Sequence, residues 1–540
     1  MKLKKVMRWF FICGVAAMVG MLSSEVRAID LDFHGYFESN VILRDSDSFR
    51  YGFMDQLEVI QQRNTLKFDV DAYTRYDFGP FRLDKIHLTY RGGYDSVFKL
   101  RDDEYEGIPA KRGESRFDKG LDDIEYENDL REASLDVTYQ GPLGSFFFRP
   151  GRQLVSWGEV SGATIIDVIH PSDVSFQISA FPDELKTPLW MGRFNYSIPP
   201  QPSFNLNLDA IVIPDVRPLQ LPPLDATTRA PYIRNTSFKR FGLFYGMPSF
   251  TGGVVQEVPT QETEYGARLM VDIGANLSVC AMYFKGYNDS PGVVMDINPG
   301  VDFMADIIPW VMAGQPLDAL PPIATKARLT HPQSETYGGS FNYYVNPPID
   351  IVLKGEIGYT TDSIVNHDLD AKFLPDVFAA VKNGSPYWPP GTPNDPNVAA
   401  FSAKDKYSWM IGFDKKWWAR WFSPAMLSTS FQWIHVHIKD FEDFLAVNNK
   451  EDTDWITGQL VWFWVNGRVQ PAIFVIYDTV GTWMTNVSVD WTITKNWKAS
   501  VGSLSFHGSP EKIGQFSNAV YHQGMYDGTD QILCKLLFQW

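Results

Sequence analysis

Cysteine is nearly absent from this chain: three in 540 residues, at Cys13, Cys280 and Cys534. That excludes a secreted scaffold framed by disulfides. Beyond residue 28 there is no run of 18 or more apolar residues, which excludes a membrane-spanning helix. Positive charge is the minority sign. Residues 1–28 hold five of the 48 Lys+Arg and one of the 64 Asp+Glu, so the remainder carries 43 positive and 63 negative groups, net −20. An acidic surface of this kind argues against nucleic acid as a partner. GxSxG, HExxH, P-loop, GxGxxG and CxxCH patterns do not occur. Neither an enzyme nor a bound cofactor is therefore expected. No soluble plug domain precedes the first strand-like segment, which weakens an energised-receptor reading.

What is present begins with MKLKKVMR, carrying Lys2, Lys4, Lys5 and Arg8, then an apolar run from Trp9 to Leu22 and the small-residue stretch SSEVRA. This predicts a secretory signal peptide over 1–28 and an exported chain over 29–540. The apolar run is short for a membrane anchor. Cys13 follows bulky Phe11 and Ile12 and does not read as a lipid-attachment site.

Aromatic residues are abundant, with 17 Trp, 24 Tyr and 38 Phe. They recur in short alternating segments rather than helical stripes. In LKFDVDAY, Leu66, Phe68, Val70 and Ala72 are apolar while Lys67, Asp69 and Asp71 are charged. That is period two, one dry face and one wet face. The same pattern closes the chain. Ile532, Cys534, Leu536, Phe538 and Trp540 share one face; Gln531, Lys535 and Gln539 share the other with Leu533 and Leu537. Eighteen such segments can be drawn, near 31–42, 60–76, 82–94, 131–140, 145–156, 188–199, 202–213, 263–274, 276–288, 334–346, 349–361, 405–418, 426–438, 454–466, 469–478, 482–494, 496–507 and 530–540. Most have the length of a tilted strand crossing a bilayer. Short connections such as DFGPF, GPLG and NPP alternate with long ones such as 95–130, 157–187 and 214–262. This predicts an all-β, transmembrane, antiparallel up-and-down barrel of about 18 strands, with 16 as the fallback. Long extracellular loops bearing short helices would cap it. A soluble β-sandwich explains the alternation but not the turn asymmetry, nor the aromatics beside the short turns: Tyr76, Phe78 and Phe81; Trp417, Trp418 and Trp421; Trp491 and Trp497.

Two hairpins fix expected registers. A turn at 141–144 sets Tyr139 opposite Phe146, Val137 opposite Phe148, Asp136 beside Arg149 and Glu132 beside Gln153. A turn centred on Pro347 sets Phe341 opposite Leu353 and Ser340 opposite Lys354. Charges belong to the lumen, because a cation on the lipid face costs about 2–4 kcal/mol at mid-membrane. The last strand must pair with the first to leave no edge in lipid. Its ending, with Phe538 and Trp540, resembles the C-terminal assembly signal of Gram-negative outer-membrane proteins, which implies the barrel assembly machinery as a partner.

The densest landmark is RPGRQLVSWGEVSG, 149–162, after LREASLDVTY. These segments resemble a family of large Gram-negative outer-membrane proteins named only as a domain of unknown function. Its marks are an arginine-glutamate strand start, here Arg131-Glu132, and a GRQ-x-x-x-WGE block, here Gly151-Arg152-Gln153 and Trp157-Gly158-Glu159. EYGARL (264–269), FKGYND (284–289) and LKGEIGY (353–359) are similar too. The resemblance implies a porin-like barrel and small-molecule transport. ATIIDVIHPSDVSFQ, after the block, is less glycine-rich than the family pattern.

Simple alternation puts Arg152 opposite Ala133 on the lipid face. A bulge at Pro150-Gly151 would rotate it into the lumen near Glu132 or Ser134. Arg152, Glu132 and Glu159 would then form a lumen charge cluster with 157–187 folded inward as a constriction. The plainer reading is an ion pair bracing the wall. Lys67, Asp69, Asp136, Arg149, Gln153, Arg268, Lys354 and Glu356 are the further lumen candidates.

FMADIIPWVMAG (303–314) and AKFLPDVFAAVKNG (371–384) read as short amphipathic helices. Ile307, Ile308, Trp310, Val311 and Met312 could form an apolar lid, or pack loop on loop. DDEYE (102–106) and DDIEYEND (122–129) could serve calcium or bridged lipopolysaccharide, but lack fixed ligand spacing and read first as solvated loops. His435 and His437 share a strand face without a third ligand, so no metal is assigned. The expected function is passive passage of small molecules, hydrophobic or amphipathic cargo favoured, through an outer-membrane channel in contact with lipid and lipopolysaccharide. The rivals are a general water-filled porin, a barrel enzyme on lipid and a sheath around a partner protein. Homo-oligomerisation stays open.

Overall fold

In the computed structural model the chain is described over residues 29–45, 57–100, 121–158, 164–175, 182–199, 201–220, 254–257, 263–297, 325–366, 397–399, 401–418, 425–442, 450–479, 481–508, 512–513, 516–517 and 530–540. Eighteen strands form one antiparallel sheet. In chain order they are β1 (Asp30–Arg44), β2 (Val59–Phe78), β3 (Phe81–Asp95), β4 (Tyr126–Gly141), β5 (Gly144–Gln153), β6 (Leu189–Ser197), β7 (Phe204–Ile213), β8 (Glu264–Ile273) and β9 (Leu277–Tyr287). The second half comprises β10 (Gln333–Val345), β11 (Ile351–Asn366), β12 (Phe401–Trp417), β13 (Met426–Ile438), β14 (Asp452–Phe463), β15 (Val469–Asp478), β16 (Trp483–Thr492), β17 (Trp497–His507) and β18 (Gln531–Gln539). Each strand pairs with its neighbours in sequence, and β18 pairs with β1, so the sheet closes. At the closure Phe538 lies opposite Phe37. Trp540 N–H donates to Gly35 O at 3.1 Å, and Gly35 N–H returns a bond to Trp540 O at 3.4 Å. Every segment expected from alternation is a strand.

The faces divide as the period-two pattern requires. Phe33, Phe68, Leu88, Phe194, Leu269, Phe341, Trp433 and Val501 are exposed on the outer face, while Asp69, Asp136, Asp209, Arg268, Lys354 and Glu356 are buried on the inner one. Apolar outside and polar inside inverts the order of a water-soluble protein. With a closed edge, it makes this an outer-membrane β-barrel whose solvent is lipid. Aromatic ladders run round the outer face. Beside the short turns, Phe81, Tyr139, Phe146 and Tyr196 follow one another at centroid distances of 5.5, 6.0 and 4.6 Å. Toward the long loops, Tyr283, Tyr337, Tyr359 and Tyr407 do the same at 5.1, 6.4 and 4.8 Å. Such belts suit the two membrane–water interfaces. The long connections carry short helices at Val97–Leu100, Leu121–Glu125 and Pro182–Leu185. They also carry a four-stranded sheet built from Val254–Gln256, Gly292–Ile297, Thr325–Thr330 and Asn397–Ala399.

The first hairpin has the expected register, with Tyr139 opposite Phe146 and Val137 opposite Phe148. The second is shifted by two residues: Phe341 meets Gly355, Ser340 meets Glu356, and Lys354 meets Asn342. The turn is longer than expected, with Asn346 to Asp350 lying between the terminal pair Val345–Ile351. An even shift leaves every side chain on its predicted face.

Candidate functional site

Period-two strands line the lumen with polar residues, and one connection occupies part of that lumen. The described parts of the segment after β5 run along the inner wall. Trp157 is fully buried in an apolar cluster with Val155, Ile166, Ile169, Leu189, Met191, Ile211, Ile213, Met282 and Phe284. These residues come from the segment itself and from the inner columns of β6, β7 and β9. Trp157 Nε1 donates to Asp209 Oδ2 at 3.2 Å, and Arg268 Nη1 donates to Trp157 O at 3.1 Å. Farther along, Ile165 N–H and Ile166 N–H donate to Glu356 Oε2 on β11 at 2.7 and 3.4 Å. Ile165 also packs on Met410 and Ile434 of β12 and β13, a cluster that Trp455 of β14 joins from its other side. The return limb is held on the other side. Arg91 of β3 donates to Glu184 O at 3.3 Å, and Arg131 of β4 to Lys186 O at 2.7 Å. The strap thus touches the wall from β3 round to β13.

Internal pins keep the two limbs together. Lys186 pairs with Asp167 at 2.6 Å. Val155 N–H donates to His170 Nε2 at 2.8 Å, and His170 Nδ1 lies 2.9 Å from Thr187 O. The imidazole is therefore the neutral tautomer that donates from Nδ1 and accepts at Nε2. Burial pushes its pKa down to about 4. Glycines on the wall admit the strap: a Cβ at Gly338 would lie 2.6 Å from Ile166 Cγ2, one at Gly358 2.7 Å from Ile165 Cγ2, and one at Gly266 2.9 Å from Trp157 Cη2.

The inner wall from β1 to β8 is densely ionic. Arg63 and Arg91 both grip Glu127, each through a 2.6 Å bond. Arg149 makes two bonds to Asp136, at 2.6 and 2.8 Å. Arg193 does the same to Asp209 at 3.0 and 2.8 Å, with Arg268 Nη2 3.7 Å away. Lys67 lies 3.4 Å from Asp69, and Lys85 3.4 Å from Asp71. The arginine–carboxylate pairs bridge neighbouring strands, except Arg63–Glu127, which reaches across β3 from β2 to β4, and they leave little free charge there. The wall from β13 to β15 differs. Its inner columns carry Gln432, Ile434, Ile438, Trp455, Thr457, Gln459, Phe474 and Ile476, with Asp478 the one charged residue among them.

The family model described as "Protein of unknown function (DUF1302)" matches residues 44–532. The chain belongs to this family. Among solved structures, OccAB1 of Acinetobacter baumannii is similar at 8% identity and a TM-score of 0.46, over 95% of this chain and 96% of that one. OpdK of Pseudomonas aeruginosa with vanillate gives 6% identity and 0.42, over 95% and 98%. The outer-membrane channel DcaP of Acinetobacter baumannii gives 10% and 0.36, over 96% and 99%. No curated protein matches the sequence.

In this DUF1302 member the GRQ block sits at the long-loop end of β5, but not as expected. The β4–β5 register runs without a shift from Gly141–Gly144 to Ala133–Arg152, so Pro150-Gly151 inserts no bulge. The irregularity lies in β4, between Glu132 and Leu130. Arg152 is buried, and it pairs with Asp129 at 2.6 Å while also donating to Leu130 O and, at 3.2 Å, to Pro188 O. Among the described residues Glu132 instead accepts from Leu154 N–H at 3.4 Å. A slip in β4 brings Asp129 within reach of a guanidinium that a β5 bulge was expected to aim at Glu132. Gln153 is buried and donates to Arg149 O at 2.7 Å. Asp136, Arg149, Arg268, Lys354 and Glu356 all stand on the inner columns, and Lys354 pairs with Asp414. His435 and His437 are on the outer face, beside Asp454 at 3.0 Å and Asp452 at 2.8 Å. Glu159, Trp421, the DDEYE stretch and the apolar candidates Ile307, Ile308, Trp310, Val311 and Met312 lie outside the described residues, as does 371–384. Sequence reasoning missed Asp209, Glu127, Arg63 and Arg91 as charge partners. The glycine sites did carry a signal: Gly266 and Gly358 lie in motifs already singled out, and an inward glycine in a strand marks a close approach.

Proposed function

We propose that this barrel is an outer-membrane channel for the passive passage of small molecules, and that amphipathic or hydrophobic cargo is favoured over strongly hydrophilic cargo. The observation carrying this reading is the strap. It places Ile165 on Met410 and Ile434, and Ile166 on Met282 and Phe284, beside a wall whose charges are mutually neutralised. A molecule passing the strap meets apolar side chains on one side and fixed ion pairs on the other. Asp136, Arg149, Arg268, Lys354 and Glu356 line that path, and Arg152, Glu132 and Gln153 brace it.

Single-channel conductance of the purified protein in a planar bilayer tests the reading. Small or infrequent steps, with flux of amphipathic solutes into proteoliposomes exceeding that of sugars of similar size, support it. Large steady steps without solute preference would make the protein a general water-filled porin and overturn the selective reading.

A further inference from the structure

The inner lysines are nearly all accounted for. Lys67 meets Asp69, Lys85 meets Asp71, Lys354 meets Asp414, Lys535 meets Glu38 and Lys404 meets Glu442. Lys416 and Lys498, near the short-turn end, are exposed. Lys406 is different. It stands on the inner column of β12, between Thr360 of β11 and Ile438 of β13, and is partly buried. Among the described residues it has no hydrogen-bond or ion-pair partner. Thr336 and Thr360 satisfy each other at 3.1 Å. The carboxylate of neighbouring Asp405 is on the outer face, where it accepts from Tyr359 Oη at 2.8 Å. On its other flank the lysine has the inner column of β13, where Ile438 is covered by Val365 and Phe441, Ile434 is covered by the strap, and Val436 between them is partly open. Met410 follows on its own strand about 13 Å toward the short-turn end, at the rise of an extended chain. There the strap tip Ile165 packs.

A partly buried ammonium without a counter-charge is costly, and an arriving anion relieves that cost. Lysine presents a compact point charge that suits a single carboxylate, sulfonate or phosphate oxygen. We infer that Lys406, beside the partly open Val436 of β13, is a binding site for an amphipathic monoanion. The head group sits on the ammonium and the apolar body extends past Val436 into the lumen. This rests on the channel reading and narrows it, giving the cargo a sign as well as a surface.

The probe is hexane-1-sulfonate, a permanent anion with an apolar tail, added to the reconstituted channel from each side in turn. Block of the potassium chloride current is expected in wild type. Its half-blocking concentration should rise about tenfold in Lys406→Met and stay near wild type in Lys406→Arg, as one charge-assisted contact predicts. Methanesulfonate, which lacks the tail, should block weakly in all three. Equal block of wild type and Lys406→Met, or equal potency of the two sulfonates, would overturn the site while leaving the channel standing. A second readout separates the two readings: reductive methylation of Lys406, followed by mass spectrometry, with and without hexane-1-sulfonate. Protection in a barrel that carries no current would keep the site and discard the channel. No protection would discard the site.

Discussion

Two walls of one lumen are built on the same period-two scaffold and do opposite things. From β1 to β8 the inner columns are studded with arginine–carboxylate pairs, such as Arg63–Glu127, Arg149–Asp136 and Arg193–Asp209. From β13 to β15 they are neutral and half apolar, with Ile434, Trp455 and Phe474 among glutamines and threonines. The strap bridges the two. It bonds the ionic wall through Arg91, Arg131 and Asp209, and rests its apolar tip on Met410 and Ile434. The lesson is that a barrel pore need not be radially uniform. Strands supply a face, and the inward half of each face can be written independently.

Breaking the ionic wall at its most connected point should have the largest effect. Asp209→Ala leaves Arg193, Arg268 and Trp157 Nε1 facing a buried site without its carboxylate. A loss of about 3–5 kcal/mol is expected, as for other broken buried pairs, read as a lower urea midpoint of the heat-modifiable band on gels. An unchanged midpoint would show that the ionic wall does not carry the strap.

Acid acts next. The folded His170 has its pKa near 4 against an ordinary 6.5. Its neutral form therefore supports the strap fully above pH 6.5, and that support is lost as pH falls toward 4. The change amounts to about 3 kcal/mol across the window. Protease cleavage within the strap and channel noise should rise between pH 6 and 4 in wild type. A flat profile in that range would contradict the neutral, doubly bonded imidazole.

On β11, between the two walls, Glu356→Ala removes the acceptor for two strap N–H groups. About 1.5–3 kcal/mol of local anchoring should go, as for hydrogen bonds to a charged group, with larger or more frequent conductance steps. Unaltered steps would place the constriction elsewhere. The gentlest probe sharpens the comparison without disturbing the fold. Gln459 is an exposed residue of the neutral wall, and Gln459→Glu should shift the reversal potential toward cations by about twofold in permeability ratio with stability unchanged. A larger shift from a charge added to the already paired ionic wall would reverse the proposed roles.

Much of this was legible because alternation is a local signal. Leu66 to Tyr73 shows its two faces within eight letters, and the 18 strands follow from repeating that reading. The Asp136–Arg149 pair came from one hairpin 13 residues across. The strap's anchor was not legible. Ile165 and Glu356 stand 191 residues apart, and nothing in either neighbourhood names the other. The Arg152 expectation failed for a related reason. Both β4 and β5 could hold an irregularity, Pro150-Gly151 drew it to β5, and the pairing that decides between them is not a property of one strand. The Pro347 turn was misjudged by two residues, which parity forgave.

Beside the side-chain packing of Trp157 and Ile165, several of the described holds on the strap are to its backbone. Arg91, Arg131 and Arg152 grip the carbonyls of Glu184, Lys186 and Pro188, and Glu356 takes the N–H groups of Ile165 and Ile166. No side-chain substitution along the strap removes a peptide carbonyl, and only proline removes an N–H. Heritable variation can therefore rewrite what the strap shows to the lumen while the wall keeps hold of it. The strap is thus an exchangeable sequence in a fixed frame, its outward letters free to change while its attachment depends on Arg91, Arg131 and Glu356.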